Sequence, residues 1–211
     1  MRKFLRQDQI ALQIYQLREN FRDLKNIPEI FRKIRATGCT SVGTLGYFKE
    51  LGYDFPSCSE LSSMLGDAGL KCCSHHELFD DIKNNPDKII DNVNKLGCKY
   101  LVTGIPITTD CENLDDIKKL VQSLNELGKL FQDAGIKLLY HNHNMEFAKL
   151  DKKTTCLEFM YNETDPEYLQ SQMDLYFIQL GGGNPESWCR KMKGRMPTLH
   201  VNDFKVIGGT R

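Results

Sequence analysis

Short apolar or β-branched segments alternate with longer amphipathic stretches along the whole chain of 211 residues. This alternation is typical of proteins built from successive β-strand and α-helix units with a parallel sheet. The first residues of consecutive predicted strands are 27 to 37 positions apart. The pattern predicts seven strands: Ile10–Tyr15, Ser41–Leu45, Lys71–Ser74, Tyr100–Thr103, Lys137–His141, Ser171–Asp174 and Thr198–Val201.

The amphipathic stretches show the spacing of helices that bury one face. A (β/α)8 barrel, the TIM barrel, uses about 250 residues in eight units, or about 31 residues per unit. The strand spacing therefore predicts an α/β protein of TIM-barrel type, with seven units present and the eighth strand missing. An open dinucleotide-binding sheet is disfavoured, because the GxGxxG motif does not follow the first predicted strand. The longest predicted helix carries apolar side chains at Ile117, Leu120, Leu124, Leu127 and Phe131.

Composition and charge exclude several classes of function. The 28 basic and 28 acidic side chains give a formal net charge of zero, so no overall field attracts nucleic acid or an anionic membrane. No apolar run in the sequence approaches the roughly 20 residues that a membrane-spanning helix requires. The first ten residues lack the apolar core of a secretion signal, and the eight cysteines are scattered without a CxxC pair. We therefore expect a cytoplasmic protein with reduced thiols.

All five histidines lie at or just after predicted strands. His75 and His76 follow the third strand, His141 and His143 come at the end of the fifth, and His200 lies in the seventh. The carboxyl ends of all strands of a barrel meet at one mouth, where active sites are built. We therefore expect the histidines to share a site.

The segment YHNHNMEF carries the highest density of side chains that can bind a metal ion or transfer a proton. His141 and His143 are expected on the same face, because side chains alternate along a strand, and Glu146 follows in the next loop. Asp174 ends the sixth predicted strand, and His200 lies in the seventh. Such carboxylates and imidazoles together form an oxygen and nitrogen donor set that suits Mn²⁺, Co²⁺, Zn²⁺ or Mg²⁺.

Two features have both a structural and a functional interpretation. Asp174 and Asp203 come at the ends of predicted strands, where aspartate commonly caps the next helix. Gly181, Gly182 and Gly183 follow the sixth strand and lead towards a helix. Their N–H groups could bind a phosphate, and a flexible loop is the equally weighted alternative.

These motifs resemble those of the sugar phosphate isomerase/epimerase family, which has the xylose isomerase-like TIM barrel. The resemblance extends over essentially the whole chain and implies a single domain over residues 1–211. In that family a divalent metal ion is held by two carboxylates, a histidine and a second glutamate from the last strand. The matching segments are IALQIYQLR for the first strand, YHNHNMEF for the fifth, QMD for the sixth and LHVNDF for the seventh.

The resemblance implies that Asp174 and His200 bind the metal ion. Glu146 is the expected third ligand and His143 its rival, because this chain has His141 where sister families place a glutamate within the strand. Glu146 is also the expected catalytic base, and His143 the residue that orients hydroxyls or transfers the proton. The expected substrate-binding residues are Tyr15, His75, His141, Asn142 and Asp203.

Two departures from the family pattern stand out. Val42, Gly43 and Thr44 occupy the place where family members commonly carry a glutamate, in a run resembling GVE, which puts one polar contact to the substrate in question. The sequence ends at Arg211, before the expected eighth strand and its glutamate ligand. We therefore expect a C-terminally truncated domain.

The resemblance implies a metal-dependent isomerase or epimerase that abstracts a proton next to the carbonyl of a keto-sugar, sugar phosphate or cyclitol. Dehydration of a keto-inositol and β-elimination from a 3-keto-sugar begin with the same step and are alternatives. Phosphodiester hydrolysis is disfavoured, because five histidines and zero net charge do not provide its ligands and basic groove. A non-catalytic sugar-binding barrel is the third class. The expected partner is a small-molecule sugar or sugar phosphate, with no nucleic acid and no membrane, and a homo-oligomer is left open.

Overall fold

The structure, a computed structural model, describes residues 5–203. Its backbone forms two compact units. The first runs to Thr103 and includes Leu130–Lys137, and the second consists of Gly104–Lys129 and the chain from Leu138 onward. Among residues 5–203, every helix is too short or too polar to cross a lipid bilayer.

The first unit contains four strands that pair in chain order and in parallel. Helices fill the connections between them, as expected for parallel strands, which need a crossover. The strands are β1 (Ala11–Gln13), β2 (Ser41–Leu45), β3 (Lys71–His76) and β4 (Tyr100–Thr103). The helices are α1 (Ile27–Ala36), α2 (Cys58–Asp67), α3 (Phe79–Asn84) and α4 (Pro86–Lys95), with 3-10 helices at Gln7–Gln9, Ile14–Arg22 and Leu24–Asn26.

The second unit repeats the same alternation of helix and parallel strand. Strand β5 pairs with β6, and β6 pairs with β7, both in parallel. Helix α5 (Leu114–Asp133) begins in this unit and ends in the first. The remaining elements are β5 (Lys137–His141), a 3-10 turn (Met145–Phe147), α6 (Cys156–Glu163), β6 (Leu169–Asp174), α7 (Leu175–Leu180), α8 (Pro185–Lys191) and β7 (Thr198–His200).

The seven predicted strands and the α/β class are confirmed, with shifts at the strand ends. The first strand stops at Gln13, because Ile14 starts a 3-10 helix that buries Ile14 and Phe21. The third extends to His76, since His75 and His76 pair with β4 although polar residues do not signal a strand. The expected eighth strand is not among the strands of residues 5–203.

Aromatic packing holds the 3-10 helix after β1 in place. The rings of Phe48 and Phe55 stack with centroids 4.1 Å apart, and Phe21 meets Phe55 edge-on at 5.6 Å. Phe31 of α1 lies 6.1 Å from Phe21. These buried rings contribute more than their area alone, because edge-on and offset aromatic pairs are worth about 0.5–1.5 kcal/mol each. The 3-10 helix that follows β1 is thereby packed against α1.

The cysteines contribute to packing as thiols. All eight are free. Cys72, Cys98, Cys111 and Cys156 are buried, and the other four are half-buried. Buried cysteine behaves as a small hydrophobic side chain.

Arg195 joins the end of α6 to the start of β6 within the second unit. Its Nε donates to the carbonyl of Leu169 at 2.8 Å, and its Nη1 to the carbonyl of Tyr161 at 2.6 Å. Its Nη2 donates to both the carbonyl and the hydroxyl of Thr164, at 3.0 and 2.7 Å. Partial burial lowers the pKa of Arg195. The planar guanidinium thus satisfies two backbone carbonyls that the end of α6 leaves open and one at the start of β6.

Replacing Arg195 by lysine is expected to destabilise the protein by about 2–3 kcal/mol, because one ammonium group cannot reach all of these acceptors. Urea unfolding followed by circular dichroism measures the change. The matched control is Arg190→Lys, since Arg190 forms only an exposed ion pair with Glu186, and we expect a change within about 0.5 kcal/mol. Equal effects of the two substitutions would contradict the role given to Arg195.

Candidate active site

The end of β6 is fixed by a side chain from the segment after β5. The Asn142 Oδ1 accepts a hydrogen bond from the backbone N–H of Asp174 at 2.9 Å, and its Nδ2 donates to the Asp174 carbonyl at 3.4 Å. Asn142 is completely buried. Both of its polar atoms are used in this way, so Asn142 positions Asp174, and its contact with a substrate stays a prediction.

The two oxygens of the Asp174 carboxylate have different roles: Oδ1 caps a helix, and Oδ2 faces the histidines of the candidate site. Oδ1 accepts hydrogen bonds from the N–H groups of Tyr176 and Phe177, at 2.9 and 3.2 Å, and so caps α7. Oδ2 accepts one from Asn202 at 2.9 Å. The same Oδ2 lies 3.6 Å from Nδ1 of His200 and 4.0 Å from Nε2 of His141. The helix-cap and metal-ligand interpretations of Asp174 are therefore compatible.

His141 and His200 complete a compact donor set around Asp174. Their ring centroids are 4.8 Å apart, and a ring nitrogen of one lies within 4.8 Å of a ring nitrogen of the other. Ligands about 2.1 Å from a tetrahedral or octahedral ion lie roughly 3.0–3.5 Å apart. The separations of Oδ2 from the two ring nitrogens, 3.6 and 4.0 Å, are wider than this, so the side chains would have to move closer together to share one ion. Asp174 is only 1% exposed, and a buried carboxylate favours a cationic neighbour.

Glu146 is also buried, and both of its oxygens accept hydrogen bonds. The Tyr140 hydroxyl donates to Oε1 and the backbone N–H of His143 donates to Oε2, each at 2.9 Å. Burial and the adjacent carboxylate raise the pKa of Tyr140 well above its usual range, so the phenol remains a donor. Metal ligation by Glu146 would have to compete with these two donors, and it stays a prediction.

The His143 imidazole stands at the partly open side of this cluster. Its side chain is 33% exposed, and its Nδ1 lies 3.6 Å from Oε1 of Glu146. The ring is 4.9 Å from that of Phe177 and 5.0 Å from that of His141. Gly104 makes room for it, because a Cβ there would lie 3.0 Å from Cε1 of His143. A half-exposed imidazole backed by a buried carboxylate is a suitable group for proton transfer.

The three glycines after α7 do not form a phosphate cradle. The N–H groups of Gly181, Gly182 and Gly183 donate to backbone carbonyls of α7, at 2.9, 3.1 and 2.8 Å. A Cβ at Gly181 or Gly183 would lie 2.5 Å from the ring of Phe147. Glycine is thus required at these positions because the backbone packs closely against Phe147 and because the chain turns at the end of α7. This role differs from both interpretations of the sequence, a phosphate-binding loop and a flexible loop.

The first unit holds the other predicted site residues. His75 is completely buried, with Nδ1 2.8 Å from the Thr44 hydroxyl and Nε2 3.0 Å from Glu77. His76 Nδ1 lies 3.1 Å from Nε2 of Gln13. Sequence reasoning missed Glu77 and Gln13; the signal for Glu77 was a carboxylate directly after two histidines.

Two further predicted substrate-binding residues lie at the surface. Tyr15 is half-buried, and the guanidinium of Arg18 lies 4.4 Å from the centre of its ring. Asp203 is exposed at the end of the described residues. Their contacts with a substrate stay predictions.

Residues 31–211 match the xylose isomerase-like TIM barrel family. The chain belongs to this family. The match confirms the TIM-barrel class and the family resemblance seen in the sequence motifs. A related protein is the inosose dehydratase of Clostridium beijerinckii, 26% identical over 129 residues, which are 55% of this chain and 42% of that protein. The chain thus spans less than half the length of the curated relatives it matches.

Solved structures agree with this membership. A sugar phosphate isomerase/epimerase from Parabacteroides distasonis ATCC 8503 superposes with a TM-score of 0.79 and 25% identity, covering 98% of this chain and 79% of that one. The IolI protein, solved with a bound zinc atom, gives a TM-score of 0.70 at 17% identity, covering 93% of this chain and 73% of that one. The family to which the chain belongs thus contains sugar-modifying enzymes.

Tyr140→Phe is expected to cost about 1–3 kcal/mol at neutral pH, because Oε1 of buried Glu146 loses its donor. The pKa of Tyr140 is raised in the folded protein, so this stabilisation is full below about pH 10 and is lost as pH rises further. The difference in stability between wild type and variant should therefore stay constant up to about pH 9 and shrink progressively as the pH rises above about 10.

Urea unfolding at each pH tests this expectation. Tyr53→Phe is the control, because Tyr53 makes the same kind of contact with Glu19, at 2.6 Å, at the protein surface. We expect it to change stability by less than about 1 kcal/mol. A Tyr140→Phe effect that is as small as the control's would contradict a strong Tyr140 to Glu146 bond.

Proposed function

We propose that the protein is a metal-dependent enzyme that abstracts a proton next to the carbonyl of a keto-sugar or keto-cyclitol. The observation that carries the proposal is the buried Asp174 carboxylate, whose Oδ2 faces His200 and His141 at 3.6 and 4.0 Å. Membership of a family that contains sugar-modifying enzymes supports it. The neighbouring His143 and Glu146 supply groups for the proton.

A divalent ion fits the donor set at the end of β6. Oδ2 of Asp174, Nδ1 of His200 and Nε2 of His141 would hold it, and one oxygen with two imidazole nitrogens suits Mn²⁺, Co²⁺ or Zn²⁺. His141 replaces Glu146 here as third ligand, since both oxygens of Glu146 already accept hydrogen bonds. When bound, the ion supplies Lewis-acid polarisation of a carbonyl oxygen.

His143 is the residue that moves the proton in this proposal. The C–H bond next to the carbonyl breaks, the proton goes to the imidazole, and the electron pair forms an enediolate. Imidazole titrates near neutrality and can both accept and return a proton. Glu146 acts through His143: it holds the backbone N–H at 2.9 Å and lies 3.6 Å from Nδ1, where its charge would stabilise the imidazolium.

The fate of the enediolate distinguishes the reactions of this class. Delivery of a proton to the opposite face of the same carbon, by a group other than His143, gives an epimer. Return of the proton to the former carbonyl carbon gives an isomer. Loss of the hydroxyl group from the β-carbon, which takes the proton back from His143 and leaves as water, gives a dehydrated product. The relatives named inosose dehydratase favour keto-inositol dehydration as the first reaction to test. β-Elimination from a 3-keto-sugar follows the same course with an alkoxide leaving group.

The domain organisation, cellular location and partner that we propose are those expected from the sequence. We propose a single domain over residues 1–211, a cytoplasmic location and a small-molecule sugar as partner. The zero net charge supports a partner other than nucleic acid. A non-catalytic sugar-binding barrel is the competing proposal, and it requires no stoichiometric metal ion.

Asp174→Asn tests the metal site with little change of fold, because asparagine caps helices as well as aspartate does. Loss of the charged ligand should lower the affinity for Mn²⁺ at least about tenfold. Exchange of the carbon-bound proton of inosose in D₂O, followed by NMR, should fall in parallel. Asp165→Asn is the matched control, since Asp165 caps an exposed turn through Glu167 and should leave both quantities unchanged.

His143→Gln separates proton transfer from metal binding. We expect Mn²⁺ affinity to stay within about twofold of wild type while proton exchange slows by about 10²–10⁴-fold. If His143→Gln abolishes Mn²⁺ binding and Asp174→Asn does not, the ligand assignment is wrong. If the metal-loaded protein exchanges no proton from any keto-sugar or keto-cyclitol, the proposed reaction is wrong.

A further inference from the structure

The two ring nitrogens of His143 have different surroundings. Nδ1 is buried and finds no hydrogen-bond partner among residues 5–203. It lies 3.6 Å from Oε1 of Glu146, slightly beyond hydrogen-bond distance. The side chain as a whole is 33% exposed. Its open surface therefore lies on the remaining atoms, and Nε2 is the only nitrogen among them.

The Glu146 carboxylate determines which nitrogen of neutral His143 carries the proton. Glu146 is completely buried, and its Oε1 and Oε2 accept hydrogen bonds from the Tyr140 hydroxyl and from the N–H of His143. An ionised carboxylate only accepts, and each of its oxygens can accept more than one hydrogen bond. A proton on Nδ1 would face Oε1, whereas a lone pair there would face a negative charge. The proton is therefore expected on Nδ1 and the lone pair on Nε2.

Gly104 lies against the Nδ1 edge of this imidazole. A Cβ at Gly104 would be 3.0 Å from Cε1 and 3.7 Å from Nδ1 of His143. The 3.0 Å separation is shorter than an optimal contact of about 3.5–4.0 Å, so an added methyl group would displace the ring. Gly104 does not have a positive φ, and alanine can adopt its backbone conformation. The missing side chain at Gly104 is thus needed for the position of the imidazole.

Phe177 packs against the same imidazole from a fixed point of the backbone. The two ring centroids are 4.9 Å apart with an interplanar angle of 56°. The N–H of Phe177 donates to Oδ1 of Asp174 at 3.2 Å, so the start of α7 holds the phenyl ring in place. The ring of His141 lies 5.0 Å from that of His143. These neighbours limit the room in which the His143 ring can turn.

We propose that Nε2 of His143 is the nitrogen that accepts the proton, and that Gly104 and Phe177 are positioning residues that hold Nδ1 towards Glu146. The proposal rests on the proposed function, and it names the reacting atom of that site and the residues that place it. The C–H bond next to the carbonyl breaks, its electron pair forms the enediolate, and the proton adds to the lone pair of Nε2. Nδ1 keeps its own proton, which it donates to Oε1 of Glu146.

Nitrogen NMR of protein with isotope-labelled histidine shows which ring nitrogen of neutral His143 carries the proton. The measurement uses the protein without added metal or substrate, and comparison with His143→Gln assigns the signals. We expect the proton on Nδ1. This reading is made on the wild type, so it tests the proposal even if the variants below do not fold.

Gly104→Ala tests the positioning role. Exchange of the carbon-bound proton of inosose in D₂O should slow by about 10–100-fold, because a small displacement of a catalytic group is costly. Mn²⁺ affinity should stay within about twofold of wild type, since the ring that moves is not a proposed ligand. Phe177→Leu should slow exchange in the same way. Gly66→Ala is the matched control, because a Cβ at Gly66 would have open space among the described residues, and it should leave exchange unchanged.

A double-mutant cycle separates positioning of His143 from a general structural role. In the His143→Gln background, Gly104→Ala should not slow the residual exchange further, because the group that it displaces is already absent. Unchanged exchange in folded Gly104→Ala, or equal slowing with and without His143, would overturn the positioning role. A wild type that exchanges protons while His143 carries its proton on Nε2 rejects this proposal and leaves the proposed function standing. A wild type that exchanges no proton from any keto-sugar or keto-cyclitol rejects the proposed function, and the role of Nε2 with it.

Discussion

The candidate site depends on how one buried carboxylate, that of Asp174, is satisfied. Asp174 is 1% exposed, so its charge is stable only if donors or cations surround it. Two N–H groups of α7 occupy Oδ1, Asn202 and the histidines surround Oδ2, and Asn142 fixes the backbone. The end of β6, the start of α7 and the donor set are therefore fixed by the same group, and a change at Oδ2 leaves the helix cap in place.

Two other buried carboxylates also lie next to a histidine side chain. Glu146 stands beside His143, with Oε1 3.6 Å from Nδ1, and Glu77 accepts from His75 at 3.0 Å. In each case the carboxylate is nearly or completely buried. Its negative charge is stabilised by a hydrogen-bond donor from the same strand end or loop. A buried anion next to an imidazole fixes its ring orientation and tautomer. Glu77 thus orients His75 through a hydrogen bond, and Glu146 stands beside His143, whereas His76 is paired with the amide of Gln13.

The sequence predicts the strands well, because short apolar segments that alternate with amphipathic stretches are local signals. It brings Asp174 and His200 together correctly, since both end parallel neighbouring strands. It does not predict that Asn142 holds the Asp174 backbone or that both oxygens of Glu146 are occupied, because such contacts depend on side-chain packing. The role of the three glycines after α7 was ambiguous in the sequence for the same reason. A side chain at Gly181 or Gly183 would collide with the ring of Phe147, which is distant in sequence.

The central claim is that Oδ2 of Asp174 binds a divalent ion while Oδ1 continues to cap α7. Anomalous diffraction from crystals grown with Mn²⁺ tests it most directly. The account predicts one anomalous peak about 2.0–2.3 Å from Oδ2 of Asp174 and Nδ1 of His200, with both Oδ1 hydrogen bonds intact. A peak on Glu146 without Asp174, or an ion that takes Oδ1 away from the helix, would contradict it.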